Sequence, residues 1–127
     1  MVQGSFIELR PARPLPALKV VVEFNGAVSD PEFIIDTGFT GDIKIDLKTA
    51  GELGIGNLDV TSIENANGQL VPAGFTYGFV EMENRKRSIE IVVADGPHLL
   101  GINFLATFGY KAVVDCKNWE CRLEAAP

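Results

Sequence analysis

The hydrophobic and polar positions of the chain form many short runs that are typical of β-strands. β-branched and aromatic residues dominate these runs, and turn-forming residues separate them about every ten residues. The predicted strands are Ser5–Leu9, Ala17–Phe24, Glu32–Ile35, Asp42–Ile45, Leu58–Glu64, Gln69–Tyr77, Phe79–Glu83, Ser88–Ala94, Leu99–Leu100, Lys111–Asp115 and Glu120–Glu124. The pattern predicts an all-β barrel or sandwich.

The connections between these strands carry clear turn signals. Asn25–Gly26 and Asn67–Gly68 are residue pairs that favour tight hairpins, and Ser29–Pro31 is predicted to extend the first of these turns. The segment Arg10–Pro16 contains three prolines. Because proline has no backbone donor, we predict an extended connector there, outside the regular sheet.

Two short helices are predicted among the strands. Asp46 is expected to cap the first helix, which runs through about residue 53 and ends at Gly54. Asn103 is expected to cap the second helix, which ends at Gly109. The apolar side chains predicted to share the inner face are Leu47, Ala50 and Leu53 in the first helix and Leu105 and Phe108 in the second.

Length and charge limit the possible functions. The 127 residues are 46% hydrophobic, which predicts a single domain spanning residues 1–127. The net charge of −6 disfavours nucleic acids and anionic membranes as partners, and the basic cluster Arg85–Arg87 is predicted to be a solvated loop. No apolar run approaches the ~18 residues that span a bilayer. With no signal-peptide pattern at the start, we expect a cytoplasmic protein.

The cysteine and histidine content favours neither a disulfide framework nor a metal centre. The chain has two cysteines, Cys116 and Cys121, and one histidine, His98. These are too few for a convincing zinc site, and a cytoplasmic location favours free thiols. We therefore expect no metal and no cofactor. A redox or metal protein that uses these three residues is kept as a third alternative.

The candidate site is the stretch from Phe33 to Gly41. The apolar run Phe33–Ile35 ends in Asp36, and Thr37 and Gly38 follow at once. A carboxylate at the end of a buried strand is costly unless it is hydrogen-bonded, paired or partly protonated. Glycines allow backbone N–H groups to approach the carboxylate or a ligand. A strand that ends in this way predicts an active site.

A single carboxyl group at this position is a poor hydrolytic catalyst. Hydrolysis requires one group to take a proton from water and another to protonate the leaving group. Two carboxyls that share one proton perform both tasks. No other aspartate of the chain stands in a second strand-Asp-Thr-Gly setting. We therefore expect a second copy to supply the other Asp36 through a two-fold symmetric contact.

The segment Ile34–Thr40, followed later by Leu99–Leu105, resembles the retropepsin-like aspartic proteases. It is most similar to the small single-domain predicted aspartyl proteases of prokaryotes. The resemblance implies a retropepsin-like closed β-barrel with one or two short helices and one half-site per chain. It also implies a homodimer that cleaves peptides or unfolded proteins with water activated between two Asp36 carboxyls, without metal or cofactor.

The same resemblance implies roles for individual residues. Asp36 would activate the water, the Thr37 hydroxyl would brace the paired turns, and the Gly38 N–H would bind the carboxylates. The implied substrate-binding and flap residues are Phe39, Thr40, Asn65, Ala66, Asn67, Gly68 and Gln69. The residues implied to support Asp36 from behind are Leu99, Leu100 and Gly101.

The chain departs from the retroviral pattern at one pair of positions. Retroviral members often carry an acid where Thr40 stands and an arginine where Ile102 stands, joined as an ion pair. Both charges are absent here, so neither is left buried without its partner. An alternative to the protease is a catalytically inactive retropepsin-like module that dimerises or binds peptides.

Overall fold

The computed structural model describes residues 1–56, 58–64 and 67–127. The strands are β1 (Val2–Gln3), β2 (Ser5–Arg10), β3 (Arg13–Lys19), β4 (Val21–Phe24), β5 (Ala27–Ser29), β6 (Glu32–Ile35), β7 (Ile43–Ile45), β8 (Asp59–Glu64), β9 (Leu70–Met82), β10 (Arg85–Val93), β11 (Leu99–Leu100), β12 (Tyr110–Asp115) and β13 (Glu120–Ala125). The helices are α1 (Leu47–Glu52) and α2 (Ile102–Phe108). The predicted mostly-β architecture with two short helices is confirmed.

Most of the strands form one curled sheet of ten strands. Its order is β2-β3-β6-β11-β7-β10-β9-β4-β5, with β8 paired to β9, while β1, β13 and β12 form a separate three-stranded sheet. The β10–β7 and β11–β6 pairs are parallel. The expected closed barrel is not formed, because β2 and β5, at the two ends of the strand order, are not hydrogen-bonded neighbours in the part of the chain that the structure describes.

The segments β3–β4 and β5–β6 form one bent hairpin, which contributes β5 at one end of the sheet and β3 next to the other end. Its tip is Asn25–Gly26, with φ of 47° and 86°, as expected for this turn pair. β3 pairs with β6, and β4 pairs with β5. At the bend between these halves Val20 N donates to Pro31 O at 3.2 Å, but Pro31 has no N–H to donate in return. The ladder of hydrogen bonds breaks at this point. The prediction that Ser29–Pro31 extends the Asn25–Gly26 turn is wrong, because strand β5 lies between that turn and the bend. Ser29 ends β5, and the bend follows it.

The proline-rich connector predicted at Arg10–Pro16 is instead part of the sheet. β3 starts at Arg13 and pairs with β2, placing Pro14 opposite Glu8 and Pro16 opposite Phe6. Residues two apart in a strand direct their backbone nitrogens to the same edge. β6 pairs with β3 only over residues 17–19, beyond both prolines. The missing donors therefore interrupt no ladder hydrogen bond to β6, which is why the sheet tolerates them.

The basic cluster Arg85–Arg87 is also strand, not the solvated loop that was predicted. The turn falls one step earlier, at Glu83 and Asn84, which have φ of 49° and 63°. Arg85 is half-buried, and its Nη1 donates to the Phe108 carbonyl at 2.9 Å. The preceding β9 is one continuous strand across the two that were predicted. Packing of the aliphatic and planar parts of arginine against α2 explains a basic residue here.

Apolar side chains fill the space between the curled sheet and α2. Burial of each large side chain contributes about 1.5–3 kcal/mol. Some of the buried residues are Leu18, Val22, Phe33, Ile43, Ile45, Ile91, Leu100, Phe104 and Phe108. In α1 the predicted inner face is partly wrong: Leu47 is 61% exposed, while Thr49 and Ala50 are buried.

The helix ends differ from one another in chemistry. Asp46 caps α1 as predicted, and Gly54 follows it with φ of 74°. The cap of α2 is Gly101 rather than Asn103, which lies inside the first turn.

Across the described ranges, no helix has the length and apolar character needed to cross a membrane.

The terminal sheet carries both cysteines and the tryptophan. Cys121 is buried and Cys116 is exposed, and both are free thiols. Cys121 lies opposite Val114 in the β12–β13 register, so the two thiols are not cross-strand partners. Trp119 packs edge-on against Phe6 with ring centroids 5.3 Å apart, which ties the hairpin to β2.

Candidate active site

Asp36 stands immediately after the buried strand β6, at the start of a tight turn. Its backbone N–H donates to the Leu100 carbonyl at 2.9 Å, and the Phe39 N–H donates to the Asp36 carbonyl at 3.1 Å. The Gly38 N–H donates to Asp36 Oδ1 at 2.9 Å. Asp36 is half-buried, whereas Thr37 and Gly38 are exposed. The turn thus presents a carboxylate at the surface with one oxygen fixed by a backbone donor.

β11 lies behind this turn and pairs with a strand on each of its edges. Leu99 and Leu100 pair in parallel with Ile34 and Ile35 of β6 and antiparallel with β7 on their other side. A two-residue strand held on both edges has little freedom. The position of the Leu100 carbonyl, and with it the Asp36 backbone, is therefore set by two neighbouring strands.

The segment after β11 is joined to the turn by main-chain hydrogen bonds. Gly101 N donates to Asp42 O at 2.8 Å, Ile102 N to Phe39 O at 2.9 Å, and Asn103 N to Gly41 O at 3.2 Å. The backbones approach so closely that a Cβ on Gly101 would lie 2.2 Å from Gly41 O. Glycine is required at position 101 because a side chain has no space.

The aromatic ring of Phe39 lies over two glycines. A Cβ built on Gly41 would be 2.7 Å from Phe39 Cζ, and one built on Gly101 would be 2.8 Å from Phe39 Cδ2. The ring therefore fills the inside of the turn. Thr40 is exposed and Ile102 is 44% exposed, so both side chains are accessible at this surface. Contact of Phe39 or Thr40 with a substrate stays a prediction.

The hairpin implied to be the flap is present as β8 and β9. The register pairs Asp59 with Phe75 and Glu64 with Leu70. Asn67, Gly68 and Gln69 lie exposed near its tip, and Gly68 has φ of 79°. The other two predicted tip residues, Asn65 and Ala66, lie outside the described residues. Closure of this hairpin over a substrate remains a prediction.

Sequence reasoning missed a buried carboxylate next to the turn, Asp42. It is 7% exposed, and both oxygens accept hydrogen bonds: Oδ1 from Asn103 Nδ2 and Oδ2 from the Glu90 N–H, each at 2.8 Å. The sequence contained a signal for this, because an acid at the start of the predicted strand 42–45 needs hydrogen-bond partners if that strand is buried. Asn103 was instead expected to be a helix cap.

Lys44 is a second buried charge that the sequence pattern did not predict. The alternation in 42–45 indicated a half-buried strand, yet Lys44 is only 3% exposed. Its Nζ donates to the Asp95 carbonyl at 2.9 Å and the Pro97 carbonyl at 2.7 Å. Desolvation lowers the pKa of Lys44, and the nearby carboxylates of Asp46 and Asp95 oppose that change. Lys44 thus fixes the loop that leads into β11.

His98 lies at the end of this loop and contacts α1. Its Nε2 is 3.1 Å from Thr49 Oγ1 and 3.2 Å from Asp46 Oδ1. Desolvation alone would raise the pKa of Asp46, but hydrogen bonds from the Thr49 N–H, the Thr49 hydroxyl and His98 lower that pKa to about 2.

Within the described ranges, no three His, Cys, Asp or Glu residues form a group that could hold a metal ion.

The comparisons with known proteins agree with this geometry at the level of the fold. No family model and no curated protein matches the chain. The curled sheet, the turn after β6 and the β11–α2 segment behind it define a retropepsin-like fold. One solved structure with this fold is the EIAV protease complexed with the inhibitor HBY-793, at a TM-score of 0.65 and 20% identity, covering 85% of this chain and 100% of that chain.

Proposed function

We propose that the protein is an aspartic endopeptidase that works as a homodimer, with one Asp36 from each copy. The observation that carries the proposal is the Asp36 turn: a half-buried carboxylate with one oxygen bonded to the Gly38 N–H at 2.9 Å, set in a retropepsin-like fold. A fold alone does not define an activity. The support therefore comes from finding this particular carboxylate and backbone donor together.

The proposed reaction uses the two carboxyls as base and acid. Like charges a few ångströms apart favour a single shared proton. The ionised carboxylate removes a proton from a water molecule as the water oxygen attacks the peptide carbonyl carbon. The other carboxyl donates its proton to the carbonyl oxygen. When the C–N bond breaks, the carboxyl that took the proton from water gives it to the nitrogen. A hydroxyl of the tetrahedral intermediate loses its proton to the other carboxylate as the carbonyl re-forms, so the pair again holds one proton.

The residues around Asp36 take supporting roles in this proposal. The Gly38 N–H fixes one carboxylate oxygen, so the other oxygen faces the water. Thr37, exposed at the turn, braces the equivalent turn of the mate. Phe39 and Thr40 contact the substrate, and the β8–β9 hairpin closes over it and excludes water. The substrates are extended peptides or unfolded proteins, which fit a cleft between two copies.

Replacement of Asp36 by asparagine tests the proposal. Asp36→Asn preserves size but removes the shared proton, so cleavage of an unfolded protein at mildly acidic pH should fall by at least about a hundredfold. The matched control is Asp30→Asn, at an exposed aspartate in the bend between β5 and β6, which should cleave like the wild type. Undiminished cleavage by Asp36→Asn, measured by mass spectrometry of the products, would contradict the assignment.

The alternative is a retropepsin-like module that dimerises or binds peptides without cleaving them. The observation that favours it is the uncharged pair of positions beside the turn: Thr40 is exposed and Ile102 is apolar and 44% exposed, so no ion pair forms there. Wild-type protein that binds an unfolded substrate but releases no fragments would support this alternative.

A further inference from the structure

We propose that Asp42 is a positioning residue whose buried carboxylate, paired with Asn103, holds the Asp36 turn in its active geometry. This inference rests on the proposed function, because it assigns Asp42 a role in the same site. Asp42 is 7% exposed and therefore acts through the turn rather than on the substrate.

Position 42 requires a carboxylate. Two donors face the side chain, Asn103 Nδ2 at Oδ1 and the Glu90 N–H at Oδ2, both at 2.8 Å. A carboxylate accepts from both donors, whereas an amide offers one acceptor and one donor. Asparagine at position 42 would direct an NH2 group at one of the two donors. No ion pair of Asp42 occurs among the described residues, so these hydrogen bonds compensate its burial.

The hydrogen bonds of the Asp42 side chain join three separate elements. Asp42 ends the turn and precedes β7, Asn103 belongs to the first turn of α2, and Glu90 belongs to β10. The side chain thus connects the turn to the helix and to a central strand. Because one side chain makes this connection, a single substitution at position 42 disturbs it.

Two backbone hydrogen bonds connect Asp42 with Asp36 through residues 100 and 101. Asp42 O accepts from Gly101 N at 2.8 Å, and the next residue back, Leu100, accepts from Asp36 N at 2.9 Å. Separation of residues 101–103 from the turn would therefore displace the carbonyl that holds Asp36. A displacement of about 1 Å in a reacting group is enough to reduce catalysis about a hundredfold.

The same two chain segments carry the uncharged pair Thr40 and Ile102. Asp42 is two residues after Thr40, and Asn103 is one residue after Ile102. The side-chain contact between the turn and the helix is thus made by the buried Asp42 carboxylate and the Asn103 amide. This placement explains how the turn keeps a side-chain connection to α2 without an exposed ion pair.

A reversed pair provides the test. Asp42→Asn should lower kcat for an unfolded-protein or peptide substrate by about tenfold to a hundredfold with little change in KM. The double variant Asp42→Asn with Asn103→Asp should restore kcat, because the amide at position 42 then donates to the new carboxylate and still accepts from the Glu90 N–H. The new acid lies at an exposed position in the first turn of α2, which favours a negative charge.

A control separates positioning from loss of stability. Val80→Ala removes buried apolar volume on β9, in the core. All variants are assayed well below their own unfolding temperatures. Val80→Ala should unfold at a lower temperature and keep the wild-type kcat, whereas Asp42→Asn should lose kcat. Equal kcat for Asp42→Asn and wild type, or no recovery in the double variant, would overturn the positioning role.

The design also separates this inference from the proposed function. An inactive wild-type protein would overturn the endopeptidase and, with it, the positioning role of Asp42 in catalysis. The hydrogen-bonded pair would still be tested, because Asp42→Asn should lower the unfolding temperature and the double variant should raise it again. Absence of that recovery would overturn the pair itself, whatever the activity.

Discussion

At the scale of single residues, buried and half-buried polar groups determine how the segments behind Asp36 are held. Lys44 fixes the loop before β11 through two carbonyls, and Asp46 caps α1 while contacting His98. The Lys44 contacts and the contact between Asp46 and His98 could not be inferred from the sequence. The Asp46 cap was predictable because it depends on residues three apart, but the burial of Lys44 depends on a loop about fifty residues away.

The lowered pKa of Asp46 predicts a pH-dependent contribution to stability. The folded-state value is about 2 and the ordinary value 3.8, so the ionised form favours the folded state. This contribution is fully present above pH 4 and is lost as the pH falls from about 4 to about 2. Asn also caps helices well, so the wild type should lose stability relative to Asp46→Asn over that range.

Urea unfolding at several pH values between about 5 and 2 measures this difference. Asp46→Ala is the control, because it removes the cap at every pH and should cost about 1 kcal/mol even near neutral pH. An NMR titration of the Asp46 carboxyl gives an independent reading. A midpoint near 3.8, or a difference between wild type and Asp46→Asn that does not vary with pH, would contradict the prediction.

At the scale of elements, most turns and both helices could be predicted from local sequence, whereas features that depend on long-range contacts could not. The Asn25–Gly26 turn, the β8–β9 hairpin and both helices follow from local chemistry and are present in the structure. The strand character of Pro14 and Arg85 could not be predicted. Pro14 is tolerated because β6 does not pair with β3 at that position. Arg85 is accommodated because the carbonyl and ring of Phe108 in α2 contact its guanidinium group. Both reasons depend on tertiary structure.

The close approach between the turn and the segment after β11 predicts a large penalty at Gly101. Gly101→Ala would place Cβ 2.2 Å from Gly41 O and 2.7 Å from Phe39 O. We expect a loss of about 1–3 kcal/mol in the free energy of unfolding, because two backbones must separate. Denaturant unfolding with a shared m-value measures this loss.

Gly51→Ala is the matched control for this substitution. Gly51 lies in α1, and a Cβ there would meet nothing within 4 Å. Alanine in a helix is favoured over glycine by about 0.5–1 kcal/mol, so Gly51→Ala should be neutral or stabilising. Equal effects of the two substitutions would show that the contact at Gly101 is not tight.

At the scale of the whole molecule, the chain supplies one Asp36 and the proposed reaction needs two. The sequence motif predicted the position of Asp36 at the end of a buried strand, and the structure places it there. The motif did not predict that the sheet is open. The open edges arise because β2 and β5 lie at opposite ends of the strand order. Nor does a local pattern define the surface through which two copies would meet.

The dimer can be tested by mixing active and inactive copies. Excess Asp36→Asn protein added to the wild type should lower the activity per wild-type chain, because mixed dimers contain only one Asp36. Each copy carries a net charge of −6, so repulsion should weaken the dimer at low ionic strength and salt should restore it. Cleavage by protein that sediments strictly as a monomer at assay concentration would contradict the two-chain mechanism.

The turn around Asp36 is held mainly by main-chain hydrogen bonds, so it tolerates a wide range of side chains. Phe39, Gly41 and Asp42 each offer a backbone carbonyl to the segment 101–103, and those bonds do not depend on side-chain identity. Substitution at outward positions such as Thr40 or Ile102 therefore leaves these bonds in place. Sequences that differ at most positions can therefore form the same turn, which accords with a shared fold at 20% identity.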